Sequence, residues 1–194
     1  MFRPDELTDD GFLGQRLRIL QPRRGYRAAT DPVLLAAAVP AQTGQSVLEL
    51  GCGVGVASLC LAARVPGLGL SALERQPAYA ALARENASRN DLDLTVVEGD
   101  LAAMPDDLRR SFDHVIANPP YFAAGDGTAA TDAGREAATA DAVAAVRQGR
   151  SLTEVLAQVP APQAGVFTVM LPVSAAATGT LPTTTSTGAL AFVG

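Results

Sequence analysis

The chain between residues 45 and 117 alternates short apolar runs with longer segments that have a helical pattern. The short runs contain continuous or alternating apolar positions, which are typical of buried strands. These predicted strands are 45–50, 67–74, 92–100 and 112–117. Helices are predicted between them at 56–65 and 76–90. This alternation indicates an α/β fold with a mostly parallel central sheet and helices on both faces.

The segment before the first of these strands has a weaker pattern. Residues 1–10 carry four acids, and we expect them to be frayed. Residues 16–20 alternate arginine with apolar side chains, which predicts a half-buried strand. A helix is predicted within 29–40, where Thr30 or Asp31 caps the amino end.

Signals for secondary structure also weaken after residue 123. A helix is predicted at 151–159 and a buried strand at 165–173, and residues 155–194 contain no charged side chain. We interpret the Thr-, Ala- and Gly-rich end as irregular or edge-strand structure, with a truncated or altered C-terminal part. We expect a single domain composed of an N-terminal strand and helix (1–44), a binding core (45–173) and an irregular tail (174–194).

Composition and charge exclude several classes of protein. The 194 residues suffice for one full core, and 48% of them are hydrophobic. The first ten residues lack the apolar segment of a signal peptide, and no apolar run is long enough to span a membrane. Two cysteines, Cys52 and Cys60, and the single histidine, His114, form no metal or disulfide framework. We expect a cytoplasmic protein without a metal ion, and we favour a monomer.

The net charge of −5 argues against a general nucleic-acid binder, but the charges are unevenly distributed. All fifteen basic residues are arginines, and five of them lie within residues 16–27, which contain no acid. One interpretation is a solvated surface strand and loop. The other is a local patch that contacts the phosphates of a nucleic acid through Arg23, Arg24 and Arg27.

Three glycines, Gly51, Gly53 and Gly55, lie between the strand at 45–50 and the following helix. Such a turn lets a ligand approach the backbone at a helix N-terminus. The spacing does not match the G-x-G-x-x-G pattern of dinucleotide sites, and Glu49, just before the turn, would repel a pyrophosphate. The same carboxylate would attract an ammonium group. S-adenosylmethionine, which has an α-amino group and a ribose but no phosphate, fits these residues better.

Two further acids follow the next two predicted strands. Glu74 ends one of them, 19 residues beyond Gly55, where a carboxylate can accept hydrogen bonds from both ribose hydroxyls. Asp100 ends the other, where it can meet the amine of an adenine. Each acid alone is more often a capping or surface residue. The carboxyl ends of parallel strands form one edge, however, so the three acids together predict a site for S-adenosylmethionine there.

Residues 115–122 end the fourth predicted strand with an asparagine and two prolines, and prolines lack backbone donors. The Asn118 side-chain oxygen and the Pro119 carbonyl can therefore accept hydrogen bonds from a planar amine, while Tyr121 stacks on the ring that carries it. Two such acceptors favour a pyramidal nitrogen that faces a methyl donor, so no strong base is needed. The predicted catalytic residues are Asn118, Pro119 and Tyr121, and the substrate contacts in this stretch are Pro120, Tyr121 and Phe122.

This combination resembles the class I methyltransferases with an Asn-Pro-Pro-Tyr signature, which modify planar amino groups of adenine, guanine or glutamine. The resemblance implies a Rossmann-like fold with S-adenosylmethionine as cofactor. Residues 17–37 resemble the front end of bacterial tRNA(Val) adenine-37 N6-methyltransferases, because an apolar strand, Gln-Pro, a glycine and Thr-Asp precede a helix. That resemblance places Arg27, Thr30 and Asp31 near the cofactor. It implies N6-methylation of an adenine in RNA, most specifically adenine 37 of tRNA(Val).

Three alternatives remain open. A release-factor glutamine N5-methyltransferase has the same signature, but it would normally carry a separate helical N-terminal domain, for which little room precedes residue 45. A ribosomal-RNA guanine-N2 methyltransferase has a signature that more often ends in Phe. A degenerate protein that binds S-adenosylmethionine without catalysis is disfavoured by the intact Glu49, Glu74, Asn118 and Tyr121.

Overall fold

The computed structural model describes residues 1–118 and two later strands, at 166–170 and 190–193. The predicted helix at 151–159 and the stretch 119–122 lie outside the described residues. The elements run along the chain as β1 (Leu7–Phe12), β2 (Leu17–Pro22), α1 (Asp31–Ala38), β3 (Ser46–Leu50), α2 (Val56–Arg64), β4 (Gly69–Glu74), α3 (Pro77–Arg89), β5 (Thr95–Glu98), β6 (His114–Ala117), β7 (Val166–Met170) and β8 (Leu190–Val193).

The six strands β3 to β8 form one parallel sheet, in the order β5-β4-β3-β6-β7-β8. This arrangement confirms the predicted α/β, Rossmann-like fold. The chain leaves β3 towards β4 and β5, then crosses back and places β6 on the other side of β3. Ligands of open parallel sheets bind at the carboxyl ends of strands where the order reverses in this way. A ligand site is therefore expected at the carboxyl ends of β3 and β6.

Helical segments cover both faces of the sheet, as predicted. The three α-helices pack on one face, in a core that includes Val47 of β3 and Ile116 of β6. The opposite face, which includes Leu48 and Val115, packs against residues 101–112, where there are two short 3-10 helices. The alternation of side chains along β3 therefore directs Glu49 to the same face as Val47, towards the α-helices.

The strands β1 and β2 form a separate antiparallel hairpin that is paired along its whole length. The prediction that residues 1–10 are frayed is therefore wrong. Both acids of β1 form ion pairs with arginines: Asp9 with one from β2 and one from α3, and Asp10 with Arg27. Arg18 Nε and Arg89 Nη2 lie 3.1 and 2.8 Å from carboxylate oxygens of Asp9. These ion pairs allow an acidic sequence to form an ordered strand.

The second hairpin strand confirms the predicted half-buried strand and extends it to Pro22. Leu17 and Ile19 are buried in the main core, while Arg18 between them is exposed. Because the apolar side of β2 packs on the α/β core, the hairpin is part of the same packed unit.

Some predicted boundaries shift by a few residues. Thr30 occupies the N-cap position of α1, as one of the two predicted residues, but its side chain makes no capping hydrogen bond. β5 ends at Glu98, two residues before the predicted end at Asp100, because Asp100 instead caps a 3-10 helix through the backbone N–H of Ala102 at 2.8 Å.

The two later strands extend the sheet beyond β6. β7 confirms the strand predicted at 165–173, and β8 makes residues 190–193 an edge strand of the sheet. Across the part of the chain that the structure describes, no helix is both long and apolar enough to cross a membrane.

Candidate functional site

The glycine turn between β3 and α2 has a left-handed backbone at each of its three glycines. The φ angles of Gly51, Gly53 and Gly55 are 69°, 55° and 86°, which other residues adopt only with strain. A side chain at Gly53 would also crowd the ring of Tyr26, since its Cβ would lie 3.1 Å from a ring carbon. A Cβ at Gly51 would meet no atom within 4 Å. The backbone at Gly51 is therefore open to a ligand.

Glu74, at the carboxyl end of β4, is buried and holds the glycine turn in place. Its Oε2 accepts a hydrogen bond from the Gly53 N–H at 2.8 Å, and its Oε1 accepts one from the Gln76 N–H at 2.8 Å. A carboxylate has about four acceptor positions, so each oxygen retains capacity for another donor.

Glu49, near the carboxyl end of β3, is also buried, and one of its oxygens is anchored to α2. Oε2 accepts hydrogen bonds from the backbone N–H and the hydroxyl of Ser58, at 2.9 and 2.5 Å. Oε1 accepts no hydrogen bond within the described residues. Burial raises the pKa of Glu49 to about 7, although the hydrogen bonds from Ser58 oppose that rise and nearby Glu74 adds to it. A cation beside Oε1 would favour the charged carboxylate.

A cavity joins Glu49 to the glycine turn and to the end of β6. Its walls combine the strand ends with the segment that follows the hairpin and with the first turn of α2. The lining residues are Tyr26, Ala28, Pro32, Glu49, Gly51, Cys52, Val54, Val56, Ala57 and Asn118. The structure thus brings Asn118 into the same cavity as Glu49 and Gly51, which are far from it in the sequence.

Other predicted cofactor residues do not line this cavity. Glu74 lies behind the glycine turn, and Asp100 is partly exposed, with Arg75 Nη1 at 3.8 Å. Thr30 and Asp31 directly precede Pro32, which does line the cavity. Their roles in cofactor binding stay predictions.

The predicted phosphate-binding arginines differ in how far they are already engaged. Arg27 donates to Thr8 Oγ1 and the Pro22 carbonyl and forms an ion pair with Asp10 at 2.7 Å. Arg23 is exposed and donates through Nε to a backbone carbonyl at 3.1 Å. Arg24 is exposed and has no hydrogen-bond partner among the described residues.

Sequence reasoning missed two residues of the site. Ser58 holds Glu49 across nine residues of chain, and a serine inside an apolar helix gave no local signal of that contact. Tyr26 packs its ring over Gly53, and only the fold brings the segment after β2 to the glycine turn. Within the described part of the chain, no group of three or more His, Cys, Asp or Glu residues is arranged to hold a metal ion.

The family model for the methyltransferase small domain matches residues 29–164, which include the glycine turn, Glu74, Asp100 and Asn118. The chain belongs to this family. This membership confirms the predicted class I methyltransferase domain and its cofactor, S-adenosylmethionine.

Similar proteins include two tRNA1(Val) (adenine(37)-N6)-methyltransferases. The protein from Actinobacillus succinogenes is 37% identical over 119 residues, which are 60% of this chain and 50% of that protein. The protein from Musicola paradisiaca is 34% identical over 123 residues, 62% of this chain and 50% of that protein. The chain spans about half the length of the curated relatives it matches. Among solved structures, wild-type Trm5b from Pyrococcus abyssi aligns with a TM-score of 0.48 and 23% identity, over 61% of this chain and 34% of that one.

Proposed function

We propose that this protein transfers a methyl group from S-adenosylmethionine to the N6 atom of an adenine in RNA. The observation that carries the proposal is the shared cavity of Glu49, Gly51 and Asn118 at the carboxyl edge of the sheet. The names of the similar proteins support a finer proposal, in which the target is adenine 37 of tRNA(Val).

The residues at the glycine turn fit the cofactor. The Oε1 atom of Glu49 is available for an ammonium group, and Glu74 retains acceptor capacity for the two ribose hydroxyls. The open backbone at Gly51 allows close approach. We propose further cofactor contacts from Asp100, Thr30 and Asp31. When bound, the cofactor supplies a methyl group on a sulfonium, which is activated for transfer to a nucleophile.

Asn118 has the chemistry to hold the target amine. Its side-chain oxygen is an acceptor, and the following residues, Pro119 and Pro120, have no N–H that would compete for it. We propose that the Pro119 carbonyl accepts the second amine hydrogen and that Tyr121, beside Phe122, stacks on a base swung out of its stack in the RNA. Positioning then accounts for catalysis without a strong base, because the proton can leave after transfer.

The exposed arginines after β2 are proposed to contact the RNA backbone. Arg23 and Arg24 are best placed for this role, since Arg27 already pairs with Asp10. We propose that Arg27, whose charge is balanced by Asp10, supports the RNA contact by holding the segment after β2 through its hydrogen bonds to Thr8 and the Pro22 carbonyl. Arg24→Ala should make the salt dependence of tRNA binding shallower by about 0.7–0.9 in the slope of log K against log salt concentration. Arg109→Ala is the control, because Arg109 is an exposed arginine remote in sequence from Arg24. If the salt dependence of tRNA binding has the same slope in the two variants, Arg24 is an ordinary solvated surface residue that does not contact the RNA.

The function is tested by methyl transfer to tRNA. The protein is incubated with labelled S-adenosylmethionine and an unmodified tRNA(Val) transcript, and the nucleosides are identified by mass spectrometry. We expect N6-methyladenosine, and we expect none from a matched transcript with guanosine at position 37. Methylation of guanosine at N2 would overturn the proposed substrate, and absence of any transfer from the cofactor would overturn the proposed activity.

A further inference from the structure

Asn86 of α3 and Asn90, which caps the carboxyl end of that helix, bind the backbone of the hairpin as a neighbouring strand would. Asn86 accepts from the Leu20 N–H at 2.8 Å and donates to the Leu20 carbonyl at 3.0 Å. Asn90 accepts from the Arg18 N–H at 2.8 Å and donates to the Arg18 carbonyl at 2.9 Å. Residues four apart on a helix are about 6 Å apart, which is close to the spacing of alternate residues in a strand. The helix therefore satisfies successive outward-facing peptide groups of β2.

Asn86 differs from Asn90 in its third contact. Asn90 donates its remaining hydrogen to the last turns of α3, at the Asn86 carbonyl 2.7 Å away. Asn86 instead donates to the Val54 carbonyl at 3.0 Å, inside the glycine turn. The Asn86 side chain is fully buried, and its acceptor and both amide hydrogens are used. The amide group of Asn86 thus fixes one peptide of the hairpin and one peptide of the glycine turn relative to each other.

The same face of α3 also holds the segment that follows the hairpin. The Tyr26 N–H donates to the hydroxyl of Tyr79, at 3.1 Å, and Tyr79 lies seven residues before Asn86, two helical turns away. The Tyr26 ring packs over Gly53 and lines the cavity. Order in the hairpin and order in the glycine turn therefore depend on the same short stretch of helix.

We propose that Asn86 is a positioning residue that couples cofactor binding to the order of the β1–β2 hairpin. The inference rests on the proposed cofactor site. A ligand that rests on the backbone of the glycine turn favours one orientation of the Val54 peptide. That orientation keeps Asn86 aligned with Leu20. Coupling between two sites is reciprocal, so an ordered hairpin tightens cofactor binding to the same degree.

The first test uses hydrogen exchange of the unaltered protein, with and without S-adenosylhomocysteine. The Leu20 amide should be slowed several-fold more by the ligand than the Arg18 amide, because only the Leu20 partner touches the glycine turn. Equal slowing of both amides, or no slowing in a protein that binds the ligand, would overturn this inference alone. Failure to bind S-adenosylhomocysteine would overturn the proposed cofactor site as well.

The second test compares Asn86→Ala with Asn90→Ala, since each change removes three hydrogen bonds and two of these are to β2. We expect Asn86→Ala to raise the KM for S-adenosylmethionine at least tenfold, with kcat at saturating cofactor within about threefold. Asn90→Ala should raise this KM several-fold less than Asn86→Ala, because Asn90 holds β2 but makes no contact with the glycine turn. If Asn86→Ala only reduced the amount of folded protein, its kcat would fall and its KM for S-adenosylmethionine would stay the same. That result would contradict the coupling. If Asn86→Ala does not fold, the exchange measurement decides.

Discussion

The two ends of the parallel sheet use polar side chains in opposite ways. At the carboxyl end, Glu49 and Glu74 bind backbone N–H groups of the glycine turn or of α2 and keep acceptor capacity for another partner. At the amino end, Asp113 accepts from the backbone N–H and the hydroxyl of Ser46, both at 2.7 Å, and the Ser46 hydroxyl accepts from the Asp113 N–H at 3.0 Å. The Ser46 and Asp113 groups at the amino end bind one another, while the two carboxylates at the carboxyl end retain unused acceptor positions.

Strand β6 carries one residue of each kind. His114 begins the strand, buried, with Nε2 at 2.9 Å from Gln45 Oε1. Asn118 follows the last strand residue and lines the cavity. Two residues only four apart in sequence are thus placed in different surroundings, and the proposed function gives a chemical role to Asn118 alone. Substitutions at the carboxyl end should change binding or rate, and those at the amino end should change the free energy of unfolding.

The largest effect is expected at Asn118. Asn118→Ala removes an acceptor that matters most as the target nitrogen becomes pyramidal, so kcat should fall by about 10²-fold, as for other preorganised polar groups. Cofactor affinity should stay within twofold. Tyr121→Phe, which keeps the stacking ring, should retain most of the activity and serves as the control. Methyl transfer to tRNA measures both variants, and full activity of Asn118→Ala would show that another group holds the amine.

Glu74 tests the binding role of the carboxyl end. Glu74→Ala should weaken S-adenosylhomocysteine binding by about 1.5–3 kcal/mol, or roughly 10- to 100-fold, through lost charge-assisted hydrogen bonds. Glu98 is the matched control, because it lies beside Glu74 in the register of β4 and β5 but is exposed and paired with Arg84. Glu98→Ala should bind normally in calorimetric titration. Similar losses in the two variants would mean that the site does not use Glu74 specifically.

The raised pKa of Glu49 predicts that cofactor affinity depends on pH. Glu49 has a pKa of about 7 in the free protein, and an ammonium beside it would lower that value. Binding must then release a proton below pH 7, so the Kd should rise by up to about tenfold for each pH unit below 7. Glu49→Gln should bind more weakly at pH 8 and lose this pH dependence. A Kd of the unaltered protein that is constant between pH 5.5 and 8 would argue that no cation approaches Glu49.

The smallest effect is expected at the amino end. Burial lowers the pKa of His114 below its ordinary value of 6.5, although nearby Asp113 opposes the shift. The unfolded chain therefore binds a proton more readily, and stability should fall as pH decreases below about 6.5, by at most about 1.4 kcal/mol per pH unit. His114→Gln should lose less stability than the unaltered protein between pH 7.5 and 5.5 in thermal unfolding. The affinity of this variant for S-adenosylhomocysteine at pH 7.5 should be unchanged. A marked loss of affinity would show that the amino end of the sheet also contributes to ligand binding.

The sequence predicted the elements whose signals are local. Continuous apolar runs at β3 and β6, the periodic pattern of α3 and the glycines after β3 are all readable within a window of about fifteen residues. Rules for parallel sheets then place Glu49 and Asn118 at the same edge. The cavity that joins these two residues was therefore accessible to reasoning from sequence alone.

Contacts between distant segments were not accessible. β1 has the sequence Leu-Thr-Asp-Asp-Gly-Phe, which resembles a polar terminus. In the folded chain its first acid pairs with arginines of β2 and α3, and its second acid pairs with Arg27. Ser58 and Asn86 are ordinary helix residues in the sequence. Their importance arises from hydrogen bonds across 9 and 66 residues of chain, which no local pattern encodes.

The asparagine contacts of the hairpin have a consequence for self-association. A two-stranded hairpin leaves two strand edges whose unpaired N–H and C=O groups can recruit a strand from another molecule. On the outer edge of β2, the groups of Arg18 and Leu20 are already taken by Asn90 and Asn86. A strand of a neighbouring chain therefore cannot pair with these backbone groups. The two asparagines thus block edge-to-edge association along that side of the hairpin.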